Sequence, residues 1–336
     1  MKLKPTVGIT IGDPAGIGPE IVCKTMLDKD IYEKMNPLII GDLNVINNVI
    51  KTLKLDLKVT STKDTRNSNY EYGTLTVYDV PINYEFNPGV LHIENGKAAL
   101  EFIYKSIELV KLNLIDAVST SPTNKEAMKM AGSKFTGATE LIADLSNAKS
   151  PSTIVKQGEC YIFQLTTHLP IKDAISKINY EFLYTEITKA KKDLELIGLK
   201  NPKIGLSGLN PHAGDGGLLG SEEKEYFVPV VKRLREEGVN ISDPIPVDSI
   251  FTKGYSGQYD ALIILYHDAA NIAIKLMSKE LPTFVITGGL PFIRTTVAHG
   301  TAYDIAYKGI ADHTQMKQAI LGAASITIKK LEEIGG

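Results

Sequence analysis

The chain has 336 residues, longer than a single hydrophobic core usually grows, so two domains or lobes are expected. Hydrophobic residues make up 43% and charged residues 23%, ordinary values for a globular protein. A formal charge of -2, spread over 37 basic and 39 acidic residues, argues against nucleic-acid or membrane-surface partners. Cys23 and Cys160 lack metal-type spacing and read as buried free thiols of a reducing compartment. No stretch approaches the ~20 apolar residues that cross a bilayer. The N-terminus runs into an apolar strand pattern without a signal-peptide core, so a cytoplasmic location is expected.

Short apolar runs alternate with helical patterns almost throughout. Val7 to Ile11 reads as a strand stopped by Gly12-Asp13-Pro14, with a helix opening near Gly18-Pro19-Glu20. Leu38 to Ile40 is a strand and Asn44 to Leu53 a helix, and Thr74 to Tyr78 alternates like an exposed edge strand. A helix over Gly96 to Leu112 precedes a strand at Ala117 to Thr120. Thr123-Asn124-Lys125-Glu126 has capping-box spacing, with Thr123 as the expected cap of the next helix. Ile154-Val155 and Tyr161 to Leu165 read as strands paired around Gly158, followed by a helix over Tyr180 to Leu196. Strands at Lys203 to Leu206, Ala261 to Leu265 and Thr283 to Ile286 flank a helix over Glu222 to Glu237. Helices near Thr301 to Tyr307 and Gln315 to Glu333 close the chain. Such alternation predicts an α/β fold with largely parallel strands. No repeat, low-complexity tract or Gly/Ser linker separates the lobes.

Four stretches run from an apolar strand directly into polar, Gly-rich or His-containing residues: Ile11 to Glu20, Thr166 to Pro170, Gly208 to Gly214, and Leu265 to Asp268. In parallel sheets, residues just past the carboxyl ends of strands face the ligand crevice. His168, His212 and His267 all sit there. Converging, they would make an open divalent-metal site with vacant positions for substrate oxygens; any one alone reads first as a strand-end hydrogen-bonding residue, and three in equivalent places bring the metal reading level with it. Gly12 to Glu20 offers backbone N–H groups to an anion, or is simply a tight turn, and it matches neither the P-loop nor G-x-G-x-x-G. Asp268 either orients the His267 imidazole, binds substrate or caps. Arg294, on an expected Gly/Pro-rich turn, suits a carboxylate or phosphate, or a surface ion pair. His299 faces a cofactor or caps a helix. His92 and His313 read as surface residues.

Eight motifs together resemble the 4-hydroxythreonine-4-phosphate dehydrogenase (PdxA) family. In order they are Gly-Ile-Thr-Ile-Gly-Asp-Pro-Ala-Gly-Ile-Gly-Pro-Glu (8–20), Asn-Lys-Glu-Ala (124–127), Phe-Thr-Gly-x-Thr-Glu (135–140) and Thr-Thr-His-Leu-Pro (166–170). Asn-Pro-His-Ala-Gly (210–214), Tyr-His-Asp (266–268), Gly-Leu-Pro-Phe-Ile-Arg-Thr (289–295) and His-Gly-Thr-Ala (299–302) complete the set. The resemblance implies a two-lobed α/β fold like that of isocitrate and isopropylmalate dehydrogenases, with the active-site cleft between the lobes. Residues 1–120 with 275–336 would form one lobe, and 121–274 a central lobe carrying most metal ligands and dimer contacts.

It further implies a homodimer whose metal site is shared across the interface, with His168, His212 and His267 as ligands of a divalent Zn, Mg, Mn, Co or Ni ion. Thr139, Lys275 and Arg294 would contact a phosphorylated substrate, and Lys275, Asp248 and Asp268 would take the catalytic positions. NAD or NADP would lie against Gly289, Leu290, His299, Gly300 and Thr301. The implied reaction is oxidation of a secondary alcohol by hydride transfer, with subsequent decarboxylation of the β-keto acid.

Four departures from the family pattern remove polar groups. Ala138 stands in place of a His, Val285 in place of an Asn, Ala269-Ala270 in place of Gln-Gly, and Ala298 in place of an acid. Lost donors in a site built to hydrogen-bond its substrate change specificity strongly. The expectation is therefore a paralogue acting on a four-carbon sugar acid phosphate such as D-threonate or D-erythronate 4-phosphate. The alternatives are the parent enzyme of pyridoxal phosphate synthesis, a non-catalytic metal- or ligand-binding paralogue, and a metal hydrolase or aldolase without nicotinamide.

Overall fold

A computed structural model describes residues 4–335. Twelve strands are found among the described residues: β1 (Thr6–Thr10), β2 (Asn36–Gly41), β3 (Lys58–Ser61), β4 (Thr74–Asp79), β5 (Ala117–Thr120), β6 (Ser152–Gln157), β7 (Cys160–Thr166), β8 (Ile204–Ser207), β9 (Ile241–Ile245), β10 (Ala261–Tyr266), β11 (Thr283–Gly288) and β12 (Ile293–Thr296). The chain divides into two compact units, residues 1–151 with 284–336 and residues 152–283. Among the described residues no helix is long and apolar enough to cross a membrane.

In the first unit the strand order is β3-β4-β2-β1-β5-β12-β11. All neighbours from β3 to β12 pair in parallel, and β12 returns antiparallel beside β11. β1 and β5 are buried along their whole length, as strands covered on both faces must be. Residues 121–151 pack here and not in the central unit expected from 121 onward. Met128, Leu141, Ile142 and Ala143 share a core with Leu100, Ile103 and Ile107 of the helix Ile93–Lys111, which moves the boundary from 120 to 151. The later boundary likewise falls at 283 in place of 274, because the helix His267–Met277 continues directly from β10.

The second unit is β6-β7-β10-β8-β9, with β6 and β7 forming an antiparallel hairpin around Gly158 and the remaining neighbours parallel. Gln157 is fully buried, and its amide donates to the Ile274 carbonyl and to Thr283 Oγ1 at 2.8 and 2.9 Å. A buried amide costs free energy unless satisfied, and here both donor bonds are made.

Several local expectations shift. β4 pairs on both sides, and the edge is β3, whose Lys58-Val-Thr-Ser shows too little apolar alternation to be read as a strand. Asn124, not Thr123, caps its helix, accepting from Ala127 N at 2.9 Å, in keeping with the stronger capping preference of Asn. The helix over 222–237 opens with a π turn at Glu223–Phe227 before Val228–Glu236. The helix near 301–307 shrinks to one 3-10 turn, Tyr303–Ile305. Cys23 and Cys160 are buried free thiols, and burial pushes both up to about 12, which leaves them inert.

Candidate active site

In the first unit, Arg294 lies on β12 with 2% of its surface exposed, not on a surface turn. Its Nη1 donates to Thr139 Oγ1 at 3.0 Å and Thr287 Oγ1 at 2.8 Å, and its Nη2 to Thr120 Oγ1 at 2.7 Å. Nε is buried without a partner. Three hydroxyls satisfy donors but supply no counter-charge, so this guanidinium is chemically suited to an anion. Thr139 stands near the start of the helix Ala138–Leu145, Thr120 ends β5, and Thr287 is on β11. Three elements thus converge on one cation.

The Gly12–Glu20 segment forms a tight turn that uses four of its own N–H groups. Asp13 N donates to the Pro122 carbonyl, Gly16 N to that of Asp13 and Ile17 N to that of Thr301, while Ala15 N donates to Asp13 Oδ1. Those N–H groups are spent. The turn instead grips the segment expected to carry the cofactor. Tyr303 Oη donates to Asp13 Oδ2 at 2.6 Å and Tyr307 Oη to the Pro14 carbonyl at 2.7 Å. Burial raises the Asp13 carboxyl above the usual range, although the Tyr303 hydroxyl and the Ala15 and Gly16 amides pull it back.

Within the gripped segment Thr301 is buried and His299 half-buried. His299 Nδ1 sits 3.0 Å from the Gly300 carbonyl. A carbonyl can only accept, so Nδ1 carries a proton in this contact. Nothing lies within 4 Å of the place a Gly300 Cβ would occupy, leaving the backbone open to a ligand. Gly289 is exposed, while Leu290 is buried in the core formed with Leu100 and Leu141 and anchors the turn between β11 and β12.

In the second unit, His168 and His267 stand just past β7 and β10, which are parallel neighbours. Their ring centroids lie 5.7 Å apart. Two imidazoles bound to one ion at ~2.1 Å set their centroids roughly 5 Å apart, so the pair fits a divalent ion with little movement. His267 Nδ1 is 3.3 Å from Asp268 Oδ1, a carboxylate that can only accept, so the contact places a proton on Nδ1 and turns Nε2 outward. The adjacent pair meets because both residues sit on the first turn of the helix His267–Met277, where the chain is no longer extended.

His212 comes after β8 on a loop of unusual conformation. Residues His212 to Gly216 all have positive φ, including His212 at 53°, Ala213 at 53° and Asp215 at 43°. Each such non-glycine residue costs ~1–2 kcal/mol, so surrounding contacts must hold the loop. His168 is also left-handed, at φ 46°. Among the described residues no three His, Cys, Asp or Glu side chains within the chain gather closely enough to hold a metal ion. The structure therefore joins His168 with His267 and does not bring His212 to them within the chain. Asp248, on the first turn of the helix Val247–Tyr255, and Lys275, on the His267 helix, are both exposed. Glu223, which anchors the His212 loop, and Thr120 carry no signal in the sequence.

A family model described as "Pyridoxal phosphate biosynthetic protein PdxA" matches residues 33–323. The chain belongs to this family. A relative from Halalkalibacterium halodurans, described as "Putative D-threonate 4-phosphate dehydrogenase", is 39% identical over 96% of this chain and 97% of the relative. Among solved structures, a 4-hydroxythreonine-4-phosphate dehydrogenase from Klebsiella pneumoniae superposes with a TM-score of 0.88 at 30% identity, covering 97% of this chain and 98% of that one. Another from Burkholderia phymatum gives 0.85 at 35% identity, covering 96% and 98%. The α/β fold is therefore that of the PdxA dehydrogenases. Arg294 and the His168–His267 pair stand on three of the motifs that carry the resemblance, 289–295, 166–170 and 266–268, all inside the matched residues.

Proposed function

We propose that this PdxA-family chain is a cytoplasmic dehydrogenase that oxidises and decarboxylates a phosphorylated four-carbon sugar acid, D-threonate or D-erythronate 4-phosphate, using NAD and a divalent metal. The observation that carries the reading is the His168–His267 pair, 5.7 Å apart at the ends of neighbouring parallel strands. The names of the relatives favour the D-threonate substrate. Loss of polar capacity at Ala138, Val285 and Ala298 argues in the same direction, against the pyridoxal-pathway substrate.

His168, His267 and His212 would hold the ion, with Asp268 fixing the His267 tautomer. A bound divalent ion supplies Lewis acidity toward the substrate's alcohol oxygen. Arg294 binds an anionic group of the substrate, and Thr139, Thr120 and Thr287 fix the orientation of the planar guanidinium for that contact. Lys275 holds the other anionic end or delivers the proton after carbon dioxide leaves. The open backbone at Gly300, with His299 and Thr301, suits the nicotinamide cofactor, with Gly289 and Leu290 as further contacts.

The missing third ligand fits a homodimer with a shared metal site. Leu169 and Ile171 beyond His168, Leu218 beyond His212, and Ile272 and Leu276 on the His267 helix are large exposed apolar side chains. Exposure of that kind beside each histidine suits cover by a second copy. The test is to follow NAD reduction by the purified chain across sugar-acid 4-phosphates and 4-phosphohydroxythreonine, with and without chelator. Chelator-sensitive turnover on the four-carbon acids supports the reading. Binding of metal and phosphate ester with no turnover would make the chain a binding protein instead.

A further inference from the structure

β8 ends at Ser207, and the next residues turn sharply toward a buried carboxylate. Glu223 is 5% exposed. Its Oε1 accepts from Leu209 N and Asn210 N, each at 2.8 Å, and its Oε2 accepts from Asn210 Nδ2 at 2.9 Å. The same amide also donates to Glu222 Oε2 at 2.7 Å, so Asn210 is held between two carboxylates. Two residues on stands His212, the first of the left-handed run.

The fit around the carboxylate leaves no slack. A Cβ on Gly214 would lie 2.7 Å from Glu223 Oε2, and Gly214 itself has φ +79°. The Leu219 N–H donates to the Gly214 carbonyl at 3.1 Å and closes the loop behind the histidine. Strained backbone persists where its surroundings over-determine it, and such places cluster at functional sites. Here a single buried side chain on a π turn fixes Leu209 and Asn210, the two residues that lead into the left-handed run. π turns of this kind commonly mark functional sites.

We infer that Glu223 is a positioning residue for metal binding: its buried carboxylate folds the Asn210–Gly216 loop so that His212 is presented as a ligand. This rests on the reading of His212 as a metal ligand. Glu223 acts through the backbone of Leu209 and Asn210, and touches neither ion nor substrate. A carboxylate is the group for this place, because three N–H donors converge on it and each charge-assisted bond is stronger than its neutral counterpart.

The experiment titrates cobalt(II) into the full-length protein and reads affinity and ligand field from its visible absorption bands. Outer positioning groups typically contribute 10–100-fold in metal affinity. E223A should therefore weaken cobalt binding by about 10–100-fold, with H212A losing at least as much. The double variant E223A/H212A should lose no more than H212A alone. Wild-type affinity in E223A, or losses that multiply in the double variant, would overturn the inference. Should E223A not fold, E223Q decides in the same way, since it keeps Oε1 but turns an amide toward Asn210 Nδ2. Weakened binding supports the inference, and wild-type affinity overturns it. A wild-type chain that takes up no cobalt, or an H212A variant that binds as wild type, would instead overturn the reading of His212 and the inference with it.

Discussion

Arg294 Nη1 donates to Thr287 Oγ1 at 2.8 Å between antiparallel β12 and β11, placing a full positive charge against a neutral hydroxyl inside the protein. Burial draws the guanidinium down to about 10, offset in part by the field of Glu140. It remains charged at neutral pH, at some expense to the fold. R294M should therefore leave stability within ~1 kcal/mol of wild type, or raise it, because replacing buried charge by apolar volume is often neutral or favourable. Activity should behave oppositely. Losing a buried charge partner costs about 2–5 kcal/mol, or roughly 30- to 4,000-fold in kcat/KM. Inorganic phosphate should raise the Tm of wild type and not of R294M; equal shifts in both would remove Arg294 from the anion site.

The histidine pair makes a second prediction. H168A and H267A should each weaken divalent-metal binding by more than the ~10–100-fold typical of outer groups, and D268N by about tenfold. Calorimetric titration of the purified variants with zinc or manganese checks the order. Metal affinity unchanged in H267A would show that the 5.7 Å approach of the two rings has another purpose.

Asp13 predicts a pH dependence. Burial holds its carboxyl above the unfolded value of 3.8, so the folded state binds this proton more tightly than the unfolded chain. Its contribution is fully present below 3.8 and is lost as pH rises through the raised folded value. D13N stays neutral throughout and lacks that loss. The stability deficit of D13N relative to wild type should then shrink as pH rises above 3.8 in urea titrations. A deficit that widens with pH would mean that the Tyr303 and Ala15 bonds outweigh burial.

Ala138 opens the helix that carries Thr139, next to the Arg294 cradle. A138H restores the imidazole of the family pattern there. The ratio of kcat/KM for 4-phosphohydroxythreonine to that for D-threonate 4-phosphate should rise, on the order of tenfold, one hydrogen bond being worth ~1.5 kcal/mol at a charged ligand. An unchanged ratio would place the specificity elsewhere, with Val285 next to be tested.

Much of the fold and of the candidate site is legible in the chain because the candidate residues follow directly on apolar strands. A run such as Ala261 to Leu265 marks a buried parallel strand, and Tyr266-His267-Asp268 follow at its carboxyl end, the end where parallel sheets place their ligands. Arg294 stands out in the sequence but on a different element from the one it occupies. Its four-residue strand has an arginine and two threonines where apolar periodicity should show, and pairing with β5 decides the matter. Tertiary partners are not legible. Two of the spent N–H groups of the Gly12–Glu20 turn, those of Asp13 and Ile17, depend on distant Pro122 and Thr301, and Glu223 meets Leu209 and Asn210 only across the His212 loop. The domain boundary at 151 is hidden for the same reason: residues 121–151 carry no linker composition, and only their packing on Leu100 and Ile103 assigns them.

The most direct test of the proposed chemistry is the product balance from D-threonate 4-phosphate incubated with the protein, NAD and a divalent metal. Reduced nicotinamide and carbon dioxide should appear in equal amounts, with the phosphate ester intact and both products abolished by chelator. Inorganic phosphate released without NAD reduction, or no product from a folded, metal-loaded chain, would contradict the account.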